Sequence, residues 1–213
     1  MLYAIGDVHG CYDSLEALLK KLHPEPSDEI YFVGDVVHKG PQSARVLRLI
    51  RENGFKLIMG NHERLMIDNF KEGRAQKELL MSYHGRESQM LDDIQYLETL
   101  PLYELLPLFD ENEHQLIITH GYGHALLGKV SFHSIEFETR VLRERIPPNL
   151  TPSKAAKIQS RYFNIFGHVP LPMPLIAPCM AGIDTGCYNG NMLCAFSFPE
   201  KTVILQRALE HLL

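Results

Sequence analysis

Short apolar runs recur along this chain, and several end on glycine followed by a polar side chain. Residues 2–5, 30–33 and 55–59 each read as a buried strand. Between the first two, Leu15, Leu18, Leu19 and Leu22 share one face, which is helical spacing. Asp13 or Ser14 can cap that helix, and Pro24 and Pro26 end it. A second helix opens at Pro41 and carries Val46, Leu47, Leu49 and Ile50 on its apolar face. The order β-α-β-α-β predicts a parallel sheet with right-handed crossovers. Ligands bind beyond the carboxyl ends of such strands, and Asp7, Asp35 and Asn61 fall there.

Residues 65–100 keep a helical pattern but carry more charge, as two or three helices covering the sheet or forming a cap. Residues 83–86 break that pattern as a loop. Strand signals return at 103–106, 115–119 and 163–166. A helix over 135–146 is stopped by Pro147 and Pro148. Residues 192–198 and 202–206 read as a hairpin around Pro199. Together these later strands predict a second, mostly antiparallel sheet.

Composition narrows the class. The 213 residues suit one domain, and 45% hydrophobic with 22% charged residues suits a globular core. A net charge of −5 argues against a nucleic-acid surface, though not against a local cationic pocket for phosphate. No apolar run approaches the roughly 20 residues that cross a bilayer. No signal-peptide pattern is visible, so a cytoplasmic protein with no membrane or nucleic-acid partner is expected. Cys11, Cys179, Cys187 and Cys194 form no Cys-x-x-Cys pair and read as reduced, mostly buried thiols. Of the eleven histidines, His23, His114 and His211 read as surface residues.

Seven segments concentrate the chemistry. They are Gly6-Asp7-Val8-His9-Gly10, the run from Gly34-Asp35 to Gly40-Pro41, Gly60-Asn61-His62-Glu63, Thr119-His120-Gly121, Arg143-Glu144-Arg145, Gly167-His168-Val169 and Ile183-Asp184-Thr185-Gly186. Mixed oxygen and nitrogen donors suit manganese, iron or zinc better than calcium or magnesium. Two such ions about 4 Å apart form a clamp for phosphoryl chemistry. Asp7-x-His9 alone reads equally as a structural turn. Gly-Asn-His-Glu is more specific, because a neutral amide binds metal without adding charge and leaves His62 free to act as an acid. His120 and His168 singly read as core histidines or ligands; beside the carboxylates they read as a site.

These blocks, in this order, resemble the calcineurin-like metallophosphoesterases. Within that superfamily they look most similar to compact serine/threonine protein phosphatases of phages and bacteria, and also to symmetrical dinucleoside tetraphosphatases. The resemblance runs from Gly6 to about Gly190. It implies an α/β metallo-dependent phosphatase fold, with two mixed β-sheets packed as a sandwich and flanked by helices. With no linker in the sequence, a single domain over residues 1–213 is expected, with residues 65–100 as a candidate helical cap within it. Asp7, His9 and Asp35 would hold one divalent ion; Asp35, Asn61, His120 and His168 would hold the second. Manganese is the favoured metal, with iron or zinc as alternatives. His62 would be the general acid and Arg143 the phosphate grip, while Asp184 reads as a carboxylate that holds its turn. His84, Arg86 and Arg145 read equally as pocket or surface residues.

The implied function is a dinuclear-metal phosphatase acting on phosphoserine or phosphothreonine in proteins, or on a small phosphoester. A metal-bridging hydroxide would attack directly, with inversion at phosphorus. The alternative is a symmetrical bis(5'-nucleosyl)-tetraphosphatase. A third reading is a weakly active metal-binding scaffold, and it rests on one departure from the family pattern. Gly-Asp-x-Val-Asp-Arg-Gly is here Gly34-Asp35-Val36-Val37-His38-Lys39-Gly40. His38 replaces a supporting aspartate, and Lys39 keeps a charge but loses the bidentate fork of arginine. A protonated His38 would push the pKa of His62 down.

Overall fold

The computed structural model describes residues 1–74 and 77–210. The chain opens with β1 (Leu2–Ile5), α1 (Tyr12–Leu22), β2 (Glu29–Phe32), α2 (Ser43–Glu52) and β3 (Lys56–Leu57). Helices α3 (Asn61–Lys71), α4 (Lys77–Tyr83) and α5 (Glu87–Glu98) follow. Then come β4 (Tyr103–Phe109), β5 (Gln115–Thr119), α6 (Ile135–Arg140), α7 (Pro152–Ala155) and β6 (Tyr162–Phe166). The chain finishes with β7 (Leu175–Ala177), β8 (Met180–Gly182), β9 (Met192–Phe198) and β10 (Val203–Arg207).

Two five-stranded sheets result, ordered β10-β9-β1-β2-β3 and β4-β5-β6-β8-β7. In the first, β1, β2 and β3 run parallel, as the sequence predicts, while β9 adds antiparallel to β1. The carboxyl-terminal hairpin thus completes the first sheet rather than the second. The second sheet is mixed rather than mostly antiparallel, because β5, β6 and β8 are parallel neighbours. Alternation along the strands explains the layering. Leu2, Ala4 and Phe196 of the first sheet meet Ile118, Phe163 and Ile165 of the second in one buried cluster. On the other face, Ile5 and Phe32 pack under Leu15, Leu18, Val46, Leu47 and Ile50 of α1 and α2.

Helices α3 to α5 cover this same side. Met66, Ile67, Met90, Ile94 and Leu97 join the core beneath α1 and α2. Buried Asp93 links them by accepting from Tyr83 and pairing with Arg51 of α2. Residues 75 and 76 of the expected cap lie outside the described residues, as does His211.

Local details depart from the sequence reading for clear reasons. Cys11, not Asp13 or Ser14, is the N-cap residue of α1, and Ser14 bonds Glu210 instead. The helix expected over 135–146 ends at Arg140. Its continuation is recruited elsewhere, since Val141 and Glu144 carbonyls accept from Gly121 and Tyr122 after β5. His114 is half-buried against Asp110, while His23 is exposed. All four cysteines are free and buried. Among the described residues, no helix is long and apolar enough to cross a membrane.

Candidate metal centre

Six parallel strands, three from each sheet, deliver the site. Asp7, Asp35 and Asn61 follow β1, β2 and β3; His120, His168 and Asp184 follow β5, β6 and β8. The loops are laced together by backbone bonds. His9 and Gly10 amides donate to the Asp35 and Val36 carbonyls, and Gly40 donates to His9. His9, Asp35, His38, Lys39 and His168 all have positive φ, between 47° and 69°. That cluster of non-glycine residues in the left-handed region marks strain held at one place. Gly60 is required, since a Cβ there would collide with both the Asp35 and Glu63 carboxylates.

Asp35 sits at the centre. Its Oδ2 lies 3.6 Å from His9 Nε2, and its Oδ1 lies 3.3 Å from His120 Nε2. Each imidazole is oriented from behind. His9 Nδ1 donates to the Val37 carbonyl at 3.0 Å, and His120 Nδ1 donates to the Val33 carbonyl at 2.8 Å. Both Nε2 atoms therefore face the carboxylate, which is how metal-binding histidines are held. Two ligand sets share Asp35: His9, Asp35 and His62, and Asp35, His120 and His168, each with donor atoms within 4.8 Å of one another. Asn61 Oδ1 comes within 3.0 Å of His120 Nε2. Asp7 is buried beside them and accepts from the His168 amide. The donor set thus fits two divalent cations of the oxygen- and nitrogen-preferring kind.

The electrostatics fit a cation site. Burial and the Asp184 charge push Asp7 up. Burial also opposes charge on His120, but the neighbouring Asp35 outweighs it and holds the imidazole up at about 10. His9 is pushed down to about 3, chiefly by burial, with Lys39 adding to it. Lys39 Nζ lies 2.8 Å from His9 Nε2 and donates to its lone pair. Lysine and a bound ion therefore compete for that one nitrogen.

His62 lies at the rim of this cluster, with Nε2 4.0 Å from Asp35 Oδ2. Its Nδ1 is 3.1 Å from Nδ1 of His38. His38 Nε2 is buried and unpaired among the described residues. A hidden lone pair is tolerated better than a hidden N–H, so His38 donates through Nδ1 and leaves the His62 proton on Nε2. Burial, then the His62 charge, push His38 down to about 4. His38 is therefore neutral and does not act as a cation on His62. Burial still lowers His62, with Lys39 and His120 adding to it and Asp35 opposing.

An aspartate at position 38 would reverse this, because an anion beside Nδ1 favours the protonated ring. In the double variant His38→Asp, Lys39→Arg, the alkaline limb of the kcat–pH profile is expected to move up by about one unit, with higher turnover. An unchanged or acid-shifted limb would contradict this reading of position 38.

Two residues with positioning roles carried little sequence signal. Glu63 is fully buried and accepts from the amides of Asp35 (2.7 Å), Val36 (2.8 Å), Val37 (3.2 Å) and Gly60 (2.9 Å). Its place three residues after Gly60 is the one visible cue, a helix-capping spacing. Asn164, inside an apolar strand, accepts from Gly123 and donates to Thr119, fixing the loop after His120. Arg145 is the arginine whose charge reaches His168. Arg143 and Arg145 are both exposed in the segment after α6, and among the described residues no side-chain bond ties either to the site. Asp184 accepts from Gly186, holding the closing turn.

Comparison with known proteins places this geometry. The calcineurin-like phosphoesterase family model matches residues 2–196. The asymmetrical bis(5'-nucleosyl)-tetraphosphatase PrpE of Halalkalibacterium halodurans is 31% identical, over 92% of this chain and 89% of that protein. A symmetrical bis(5'-nucleosyl)-tetraphosphatase of Baumannia cicadellinicola is 24% identical, over 95% of this chain and 91% of its own. The crystal structure of a candidate diadenosine tetraphosphatase superposes with a TM-score of 0.75 at 25% identity, covering 98% of this chain and 94% of that one. These full-length matches overturn the expected likeness to serine/threonine protein phosphatases, and with it the protein-phosphatase activity. The motif blocks supply donors suited to metal, and carry no information on the rest of the substrate. With its model spanning nearly the whole chain and its metal-binding blocks gathered on the carboxyl ends of two sheets, this protein belongs to the calcineurin-like phosphoesterase family.

Proposed function

We propose that the chain is a metal-dependent hydrolase of dinucleoside polyphosphates that splits diadenosine tetraphosphate asymmetrically, into ATP and AMP. The single observation that carries its chemistry is the Asp35 carboxylate lying between His9 and His120. The asymmetrical cut rests on the 31% identical relative; the symmetrical one is the runner-up. In this reading residues 1–213 form one catalytic domain, with α3 to α5 as its cap.

Asp7, His9 and Asp35 would hold one ion, and Asp35, Asn61, His120 and His168 the other. Manganese is the ion we assign, with iron and zinc fitting the same donors. Bound ions supply a water acidic enough to attack at neutral pH and neutralise charge on the phosphoryl oxygens. His62, with its proton on Nε2, protonates the departing phosphate oxygen. Lys39 would offer positive charge to the polyphosphate on one side of the site, and Arg143, with Arg145 beside it in the chain, on another. The four free thiols suit a reducing compartment such as the cytoplasm.

A cleft beside the site favours a long anionic substrate. It measures about 290 Å³ and is lined by Pro41, Gln42, Arg45, Arg48, His84 and Arg86 among others. Its floor is tied to the first motif, since the Gln42 amide donates to the Gly10 carbonyl. A basic cleft on a chain of net charge −5 is a local feature rather than the general surface. The double variant Arg48→Glu, Arg86→Glu is expected to raise KM for diadenosine tetraphosphate about tenfold with kcat little changed, the mark of lost uniform binding. An unchanged KM would remove this cleft from the substrate path.

Chromatography of the products tests the function itself. Equal ATP and AMP, formed with manganese and abolished by chelation, is the expected result. Two molecules of ADP would favour the symmetrical route. Intact dinucleotide after incubation with metal-loaded protein would overturn the reading.

A further inference from the structure

We infer that Cys11, Cys187 and Glu210 form a separate, sulfur-containing metal site, suited to zinc, that ties the carboxyl-terminal segment to the loops of the metal centre. The three residues come from three distant parts of the chain. Cys11 directly follows the His9-Gly10 turn and caps α1. Cys187 opens a short 3-10 turn just after the Asp184-Thr185-Gly186 block. Glu210 follows β10. Their two sulfurs and one carboxylate oxygen all lie within 4.8 Å of one another. Ligands of one tetrahedral zinc, bound at about 2.0–2.3 Å, sit within that compass.

The chemistry of the group favours a soft cation. Cys11 is 0% exposed and Cys187 1% exposed. Two sulfurs and a carboxylate oxygen gathered at one place make a mixed donor set, and sulfur donors select zinc over manganese or magnesium. The dinuclear centre contains no sulfur, so the two sites sort different metals.

The carboxylate is also held in place, as outer-shell partners hold a metal ligand. The Ser14 amide donates to Glu210 Oε1 at 3.0 Å, and the Ser14 hydroxyl donates to Oε2. The same hydroxyl accepts from the Leu209 amide at 2.9 Å. A helix cap alone explains the bond from Glu210 to Ser14, but not why two thiols from other segments converge on the same oxygen. Three protein donors leave a fourth position for water. Sequence spacing hides such a site, because no two of its ligands are neighbours in the chain.

Cobalt substitution tests this independently of any enzymatic activity. The reduced full-length protein, loaded anaerobically with cobalt(II), should show a near-ultraviolet sulfur-to-cobalt charge-transfer band at one equivalent per chain. Oxygen and nitrogen donors at the dinuclear centre give no such band. It should vanish in Cys187→Ser and persist in Cys194→Ser, another buried free cysteine. Should Cys187→Ser fail to fold, X-ray absorption at the zinc edge of the zinc-loaded wild-type protein decides, with sulfur in the first shell as the expected result. Fully loaded wild-type protein with no charge-transfer band and no sulfur around zinc would overturn the proposal. So would a Cys11–Cys187 disulfide in protein purified without oxidant.

Discussion

Replacing Asp35 with asparagine is expected to cut turnover of diadenosine tetraphosphate by about a thousandfold or more while leaving the fold intact. Asparagine has nearly the same shape, and its oxygen can still accept the His62 amide that now bonds Asp35 Oδ1 at 2.8 Å. What it loses is the negative charge shared by His9 and His120. Both ion sets contain this residue, so both should weaken together. The pKa of His120 should also fall from about 10, because Asp35 is the charge that holds it up against burial. Kinetics at saturating manganese, with metal content measured on the same sample, checks this. A variant that binds two ions normally and loses less than about tenfold would show that Asp35 is not their common ligand.

Glu63→Ala should be the most destabilising single change at the site. Four backbone amides from two loops converge on this carboxylate, and it is fully buried. Alanine leaves them without an acceptor, and each buried unpaired amide costs about 1–3 kcal/mol. Even if water recovers half of that, the loss is several kcal/mol, a large part of the about 5–15 kcal/mol that holds a typical domain together. Glu63→Gln keeps one acceptor oxygen and should be milder, yet its NH2 group faces donors. Urea unfolding should therefore rank wild type above Gln above Ala. Activity should fall in the same order, because these amides set the Asp35-to-Val37 backbone that carries the central ligand. Equal midpoints for all three would mean that the loops hold their shape without this residue.

Much of this was legible in the residues. The metal-facing positions follow apolar runs, and parallel strands place such residues on one rim. Asp7, Asp35 and Asn61 could be placed by pattern alone, before any likeness was considered. The second sheet was harder. Its strands β7 and β8 are three residues each, set in a stretch rich in proline and glycine, too short to show alternation. The terminal hairpin was visible, but its partner was not. The pairing of β9 with β1 joins residues almost 200 positions apart, where no local signal reaches. The segment holding Arg143 and Arg145 is irregular, bound by carbonyls that accept from Gly121 and Tyr122, and periodicity does not reach it. Substrate class was the least legible feature, since the motif blocks carry metal donors and not the groups that would meet the rest of a substrate.

Anomalous diffraction from crystals grown with manganese tests the shared-carboxylate site most directly. Two peaks should flank the Asp35 side chain, one toward His9 and one toward His120 and His168. A lone peak, or a pair with Asp35 bound to neither, would contradict it.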